Sequence, residues 1–187
     1  MNIYDIFMSP FEKSGLTKIR KNIIPQAFGD VLEIGYGTGV NFPYYNLSTV
    51  QHISALDTKT SPIKIKTGLP LEFFEGQAEN LPFAPESFDT VVETLVFCSV
   101  KNLDKAINEV LRVLKPGGLF IFMDHVLPEE KSMATLFKAT NTVWPKIASG
   151  CQLTREPHKL IEASGLIMEQ SGTFGHDIFR WGIGRKA

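Results

Sequence analysis

The sequence has few cysteines, no long hydrophobic run and no cleavable leader pattern. Only two of its 187 residues are cysteines, Cys98 and Cys151, which argues against a disulfide scaffold and favours a reducing compartment. Its uninterrupted apolar runs reach about five residues, far below the ~20 that span a bilayer. The N-terminus has no basic stretch followed by an apolar one, so no secretory signal is expected. We therefore expect a cytoplasmic protein without a transmembrane anchor.

An excess of charge of one sign is also missing. Nineteen basic and 20 acidic residues give a formal net charge of −1, and no long run of Lys and Arg occurs. The composition therefore gives no support for nucleic-acid binding. The four histidines are far apart in the sequence and lack the spacing of metal ligands, so no metal site is expected.

Apolar residues are abundant, at 43% of the chain, and 14 of them are phenylalanines. A chain of this length usually forms one domain and buries roughly 70% of its unfolded surface. Short β-branched and apolar runs alternate with helical patterns, which predicts an α/β fold with parallel strands. The predicted strands cover residues 31–34, 52–56, 71–75, 90–96 and 119–123.

Helical periodicity is clearest at residues 103–114, where apolar residues recur at intervals of three and four. A second helix is expected to stop before Pro145, and a third to begin after Thr154 as its N-cap. Glycines between apolar runs near the C-terminus predict two closing strands that pair as a hairpin. The other predicted helices cover residues 3–24, 130–143 and 155–163, and the closing strands lie within 166–185.

The strongest local signal is V-L-E-I-G-Y-G-T-G at residues 31–39, a strand that leads into three glycines. Glycine adopts positive φ without strain and lets a ligand approach the backbone. Asp57 closes the next predicted strand, where a carboxylate can accept both hydroxyls of a ribose. Val40 stands where a dinucleotide-binding loop needs a small residue, which argues against the alternative of a nicotinamide-dependent oxidoreductase.

Residues 33–39, E-I-G-Y-G-T-G, resemble the E-x-G-x-G-x-G motif of class I S-adenosylmethionine (SAM)-dependent methyltransferases. Further matches follow in order at residues 56–57 (L-D), 76–83 (G-Q-A-E-N-L-P-F) and 113–118 (V-L-K-P-G-G). The resemblance implies a Rossmann-like methyltransferase fold with a mostly parallel, seven-stranded sheet flanked by helices. It also implies SAM as cofactor, S-adenosylhomocysteine as product, and one methyltransferase domain over residues 1–187.

The same resemblance implies which residues hold SAM. Glu33 anchors the loop near the methionine amino group, Asp57 meets the ribose, and Ala78 offers its backbone N–H to the adenine. Gln77 stands where the family usually has Asp, and its amide oxygen can accept the same bond without adding charge. The other expected cofactor contacts are Gly35, Tyr36, Gly37, Gly39, Asn41, Thr58, Glu93, Thr94 and Leu95.

Three further stretches are similar to a narrower branch, the methyltransferase type 11 proteins. They are L-V-F-C-S-V at 95–100, F-M-D-H-V at 122–126 and G-C-Q-L-T-R-E at 150–156. This branch includes the animal alkyl-thiol methyltransferases and bacterial relatives, some of them described as phospholipid methyltransferases. The resemblance favours a small thiol acceptor. A phospholipid, another small amine or hydroxyl acceptor, and a non-catalytic SAM-binding module are the alternatives.

Methyl transfer from a sulfonium is an in-line displacement, for which a protein mainly supplies alignment and exclusion of water. His125 and Asp124 end the fifth predicted strand and are the expected catalytic residues. His125 is the leading general base because its ordinary pKa lies near 6.5. A purely structural role is the alternative for both. The expected substrate contacts are Tyr4, Phe97, Cys98 and Trp144.

Two segments are expected to cover the site. In this superfamily the region after the fifth strand usually shapes the acceptor site, so residues 127–154 are predicted to be an acceptor-shaping insert. By the same analogy, residues 1–24 are predicted to form an N-terminal helical lid over the cofactor.

Overall fold

A computed structural model describes residues 15–60, 68, 70–148 and 150–187. These residues form a seven-stranded sheet of order β3-β2-β1-β4-β5-β7-β6. The first five strands are parallel to one another, and β7 is antiparallel to both of its neighbours. The predicted mostly parallel sheet and the closing hairpin are confirmed. The strands are Gly29–Ile34 (β1), Val50–Asp57 (β2), Leu71–Glu75 (β3), Phe88–Thr94 (β4), Leu114–His125 (β5), Ile167–Phe174 (β6) and Phe179–Arg185 (β7).

Helices cover both faces of this sheet. Residues 1–14 of the predicted N-terminal lid, with the expected substrate contact Tyr4, lie outside the described residues. Two short 3-10 turns, Ile24–Gln26 and Phe42–Tyr44, follow α1 and β1. The helices of the described ranges are Thr17–Ile23 (α1), Leu103–Val113 (α2), Lys131–Thr140 (α3), Trp144–Ile147 (α4) and Pro157–Ala163 (α5).

The central strands bury both faces, because side chains alternate across a strand. On one face, Val31 and Val92 pack in a cluster that includes residues of α1. On the other face, Leu32 and Val91 pack in a cluster that includes residues of α2 and α5. Two hydrophobic layers therefore hold the parallel strands, and the polar residues of the site collect where these strands end.

The K-P-G-G turn is structural and forms the start of β5. A Cβ atom on Gly118 would lie 2.9 Å from the carbonyl oxygens of both Asp89 and Lys115, closer than such contacts normally come. The Lys115 ammonium also donates to the Asp89 carboxylate at 2.9 Å. The turn therefore packs tightly against the beginning of β4, and only glycine fits at its end.

The predicted fourth strand over residues 90–96 is too long at its C-terminal end. The strand ends at Thr94 because Leu95 has a φ of 62°, which lies outside the extended region. A left-handed, non-glycine residue costs of order 1–3 kcal/mol and persists only where its surroundings hold it. The chain therefore turns two residues earlier than the apolar run indicates.

Two helix boundaries also differ from the predicted ones. The expected helix 130–143 ends at Thr140, and Pro145 does not terminate it. Pro145 lies instead in the first turn of α4, where its missing N–H removes no helical hydrogen bond. The last helix begins at Pro157 with Glu156 at its N-cap position, so Thr154 is not its N-cap.

Candidate functional site

The glycine loop follows β1 at the carboxyl edge of the sheet. Gly35, Gly37 and Gly39 all have positive φ, between 52° and 76°. A Cβ on Gly35 would lie 2.2 Å from the Val96 side chain, so this position requires glycine for packing. A Cβ on Gly37 would meet nothing closer than 4.0 Å. Gly37 therefore leaves open space beside the backbone, as expected where a ligand approaches.

Asp57 ends β2 beside this loop. Its Oδ2 accepts a hydrogen bond from the Gly37 N–H at 2.9 Å, and its Oδ1 accepts one from the Thr58 N–H at 2.7 Å. A carboxylate has about four acceptor positions, so capacity remains for further donors. The structure thus places Asp57 and Thr58, two expected cofactor contacts, beside the glycine loop, and the carboxylate could accept from a ligand with two adjacent hydroxyls.

The residues after β3 lie at the same edge. The Gly76 N–H donates to the Asp57 carbonyl at 2.9 Å, which places the following Gln77 and Ala78 next to the end of β2. Gln77 is exposed and Ala78 is buried. Tyr36, an expected cofactor contact, lies in the glycine loop with its side chain turned inward. That side chain is 2% exposed and its ring lies 5.1 Å from that of Phe73.

A buried polar network lies beneath the loop. Glu33 is 1% exposed and accepts hydrogen bonds from Asn41 Nδ2 at 3.0 Å and Tyr45 Oη at 2.7 Å. Arg20 donates to Asn41 Oδ1 at 2.5 Å and to Thr94 Oγ1 at 2.8 Å. We call these five residues the Glu33 network. Burial raises the pKa of Glu33 to about 7, although both hydrogen bonds and the Arg20 charge oppose that rise.

The network gives the buried Glu33 carboxylate two hydrogen-bond partners, and two of the network's members, Arg20 and Tyr45, were not predicted from the sequence. Arg20 continues the apolar spacing of Leu16 and Ile23 on α1 and is 2% exposed. A single charge on the apolar face of a helix is the sequence signal that could have found it. Tyr45 gives no comparable signal, because its hydroxyl finds Glu33 only after the chain has folded.

Two more buried carboxyl side chains, Glu93 and Asp124, lie on the face of the sheet opposite the Glu33 network, near the ends of β4 and β5. Glu93 Oε1 accepts from the Val96 N–H at 2.6 Å and the Phe97 N–H at 3.1 Å. Asp124 Oδ1 accepts from the Cys98 N–H at 3.2 Å. The other two carboxyl oxygens, Glu93 Oε2 and Asp124 Oδ2, are buried and have no hydrogen-bond partner among the described residues. The two carboxyl groups are close enough to influence each other's pKa, and a hydrogen bond between them would require one of them to carry a proton.

We call Glu93 and Asp124 the carboxyl pair. Burial and the neighbouring Asp124 raise the pKa of Glu93 well above its ordinary value. Burial likewise raises the pKa of Asp124 to about 7, against the opposing effects of its hydrogen bonds and of Arg155. The contacts of Glu93 are thus to Asp124 and to the turn after β4, whereas the sequence predicted that it meets the cofactor.

The turn after β4 joins the two polar groups. Thr94 belongs to the Glu33 network, while the N–H groups of residues 96–98 bind the carboxyl pair. Between them, the Leu95 N–H donates to the Met123 carbonyl at 2.7 Å. These bonds hold Leu95 in its left-handed conformation. The strain therefore lies at the point where the sequence places cofactor contacts, which is typical of functional sites.

His125 was expected to be the general base because its ordinary pKa lies near 6.5, and its surroundings in the structure remove that reason. Its ring is 8% exposed, stacks on Phe137 with a centroid distance of 5.4 Å and meets Phe179 edge-on. Burial lowers the pKa of His125 to about 4, so the side chain is neutral and weakly basic at neutral pH. Asp124, whose pKa is about 7, is better matched to proton transfer there.

The other expected substrate contacts are mostly interior. Phe97 is fully buried and its ring lies 5.9 Å from that of Phe120, so its side chain belongs to the core and not to a pocket wall. Cys98 is also fully buried and packs with Cys151 and Ala148. Trp144 is partly buried against this cluster.

Two negative observations concern the part of the chain that the structure describes. None of its helices is both long and apolar enough to cross a membrane. Likewise, nowhere in it do three or more His, Cys, Asp or Glu side chains gather in a way that could hold a metal ion.

Known proteins place the chain among methyltransferases. The family model described as "Methyltransferase domain" (Methyltransf_11) matches residues 32–122. Thiol S-methyltransferase TMT1A of Homo sapiens is 33% identical over 170 residues, which cover 86% of this chain and 69% of the human protein. Thiol S-methyltransferase TMT1B of Rattus norvegicus is 39% identical over 142 residues, which cover 71% of this chain. That match spans only 57% of the rat protein.

Solved structures agree on the fold. The S-adenosylmethionine-dependent methyltransferase of Mesorhizobium loti has a TM-score of 0.67 at 15% identity, with 90% of this chain and 96% of that one covered. The [4+2]-cyclase SpnF has a TM-score of 0.69 at 16% identity, and the superposition covers 91% of this chain and 79% of SpnF. The same fold therefore also supports chemistry other than methyl transfer. Within this fold, the sequence identity to TMT1A and TMT1B indicates the branch to which the chain is most similar. The chain therefore belongs to the class I methyltransferase family, near the thiol S-methyltransferases.

Proposed function

We propose that this protein transfers the methyl group of SAM to the sulfur of a small-molecule thiol. One observation supports SAM as the cofactor. Gly37 has a positive φ and open space beside its Cα, and its N–H donates to Asp57 at 2.9 Å, where two adjacent parallel strands end. The thiol half is supported by the names of the relatives TMT1A and TMT1B.

The cofactor half of the proposal assigns each part of SAM to residues at the carboxyl edge. The loop from Gly35 to Gly39 lies beside the methionine part, and Asp57 with Thr58 accepts the ribose hydroxyls. Gln77 and Ala78 meet the adenine. The Glu33 network supports the loop from below, and its carboxylate favours the positive amino group of the methionine part. When bound, SAM supplies a methyl group already activated by its sulfonium charge.

The chemical step needs alignment and the loss of one proton. The thiol sulfur forms a bond to the methyl carbon as the bond from that carbon to the sulfonium breaks. The thiol proton must leave, and thiols with a pKa of about 8.5 are only partly ionised at neutral pH. We propose that the carboxyl pair receives this proton, because the pKa of Asp124 is about 7. In this proposal, His125 lines the site as an uncharged side chain, because burial lowers its pKa to about 4.

The segment between β5 and α5 is proposed to shape the acceptor site. Phe137 of α3 stacks on His125 at the end of β5, which brings this segment to the active edge. The segment also exposes apolar side chains, since Leu136, Val143 and Ile147 are each more than half exposed. These contacts suit an apolar acceptor. A reducing compartment such as the cytoplasm is proposed as well, because both cysteines are free thiols.

Removal of the Asp57 carboxylate tests the cofactor half. We expect Asp57→Ala to weaken SAM binding by roughly 1–3 kcal/mol, the usual loss of charge-assisted hydrogen bonds. Gly37→Val should abolish binding, since its side chain would occupy the open space. Glu72→Ala removes an exposed carboxylate from the neighbouring β3 and serves as the control. Calorimetry that gives all three variants the affinity of the wild type would contradict this placement.

The raised pKa of Glu33 predicts that SAM binding depends on pH. Ionised Glu33 attracts the positive amino group, so affinity should rise as the pH increases through about 7. Below that pH, Glu33 gains a proton and affinity should fall by up to about tenfold per pH unit. Binding is measured by calorimetry between about pH 5.5 and 7.5, where the amino group stays protonated.

Glu33→Gln should bind SAM more weakly than the wild type and with little change over this pH range. Glu72→Gln, the matched exposed variant, should keep the dependence of the wild type. The role assigned to Glu33 is wrong if the affinity of the wild type is constant across the range, or if Glu33→Gln retains the full slope.

If the carboxyl pair receives the thiol proton, the rate lost when Asp124 is replaced should depend on the pKa of the acceptor thiol. Asp124→Asn should lower the methyl-transfer rate about 100-fold for an alkyl thiol, which must lose a proton. For an aryl thiol of low pKa, already ionised, the loss should be about threefold or less. The wild-type rate with the alkyl thiol should rise with pH through about 7.

Rates are measured with methyl-labelled SAM at saturation, and thermal unfolding confirms that each variant is folded. Asp104→Asn, at an exposed carboxylate in the first turn of α2, is the control and should not change either rate. Equal losses with both thiols would reduce Asp124 to a positioning residue and refute its part in proton transfer.

A further inference from the structure

Two buried thiols meet below the proposed acceptor side. Cys98 lies in the turn after β4 and Cys151 in the loop between α4 and α5, and they are 0% and 3% exposed. Both belong to one small cluster with Ala148, against which Trp144 packs. The Gln152 N–H donates to the Cys98 carbonyl at 2.9 Å, so the two backbones are direct neighbours at this point. Neither thiol has a part in the mechanism proposed above.

The two thiols lie in different surroundings, which shift the pKa of each in opposite directions. The neighbouring Cys151 and burial raise the pKa of the Cys98 thiol well above its ordinary value, whereas the neighbouring Cys98 lowers the pKa of the Cys151 thiol. Cys98 Sγ also lies 3.5 Å from Ser99 Oγ. A disulfide needs Cα atoms about 4.4–6.8 Å apart, and packing in one cluster beside a backbone hydrogen bond fits such a separation. The thiolate is the attacking form in thiol–disulfide exchange, so the more acidic Cys151 is the expected first nucleophile.

We propose that Cys98 and Cys151 form a reversible disulfide when the protein meets a low-molecular-weight disulfide, such as the oxidised form of a thiol acceptor. The Cys151 thiolate attacks one sulfur of the small disulfide and releases one small thiol. Cys98 then loses its proton and attacks Cys151 Sγ, which releases the second small thiol. The two cysteines are oxidised by two electrons, and the small disulfide is reduced to two thiols.

The disulfide would act on the acceptor side of the site. The two free sulfur atoms must close to about 2.05 Å in a disulfide, which draws the two segments toward each other. The Cys98 N–H also binds Asp124, at 3.2 Å from Oδ1. A shift of Cys98 therefore disturbs the carboxyl pair, while Asp57 lies on β2 and Gly37 in the loop after β1. This consequence for methyl transfer rests on the proposed function, whereas the disulfide itself does not.

The test exposes the full-length, reduced protein to the disulfide of 2-mercaptoethanol and maps its cysteines by mass spectrometry without reduction. We expect one intramolecular Cys98–Cys151 link, a mass lower by two hydrogen atoms, and full reversal by dithiothreitol. The proposal is overturned if both thiols stay free, if mixed disulfides remain as the end product, or if the links join two chains.

Two single variants test the order of attack. Cys98→Ser should accumulate a mixed disulfide on Cys151, because the second step is lost. Cys151→Ser should react far more slowly, because the remaining Cys98 thiol is fully buried and burial alone still raises its pKa. Equal reaction rates for the two variants would contradict the assigned roles, and thermal unfolding shows whether each variant is folded.

Activity and cofactor binding are measured on the same oxidised sample. The methyl-transfer rate to a thiol should fall about tenfold or more and return with dithiothreitol, because small misplacements near the chemistry are costly. SAM affinity should stay within about twofold of the reduced value, as the cofactor residues lie elsewhere. Cys151→Ser should show no loss of rate under oxidant. A mapped disulfide without a change in rate would refute the regulatory effect, and a reduced protein without activity would instead refute the proposed function.

Discussion

Four carboxyl side chains lie near the ends of four neighbouring parallel strands, and the rest of the site depends on how their charges are held. In the order of the sheet they are Asp57, Glu33, Glu93 and Asp124, on β2, β1, β4 and β5. Parallel strands bring their carboxyl ends to one edge, so these groups meet there although they are distant in sequence. A buried carboxylate is costly without partners, and the surroundings of the four side chains reduce this cost in three ways.

These three arrangements divide the site into two parts. Asp57 is only partly buried and binds the backbone of the glycine loop, which leaves it able to accept bonds from a ligand. Glu33 is satisfied by Asn41 and Tyr45, within the network that Arg20 completes. Glu93 and Asp124 are neighbours on the opposite face, and burial raises the pKa of both. The proposed function therefore gives cofactor binding and proton transfer to separate groups, which the turn after β4 joins.

The sequence predicts the sheet and the glycine loop well because both depend on local patterns. Strand periodicity and the spacing of Gly35, Gly37 and Asp57 are readable without knowledge of distant contacts. Arg20 and Tyr45 were missed because their partners become neighbours only on folding. The burial that lowers the pKa of His125 is likewise a property of tertiary packing, from Phe137 and Phe179. The left-handed φ of Leu95 is fixed by its hydrogen bond to Met123 of β5 and by the bonds of the residues around it, which no local pattern records.

The most direct test of the account offers methyl-labelled SAM to the protein with a panel of small alkyl thiols and, separately, with a phospholipid extract. The account predicts label in a thioether product, formed at a rate that depends on the thiol concentration. Label found only in the lipid fraction would contradict the thiol acceptor and keep the cofactor site. Tight binding of SAM without transfer to either acceptor would contradict the proposed activity itself.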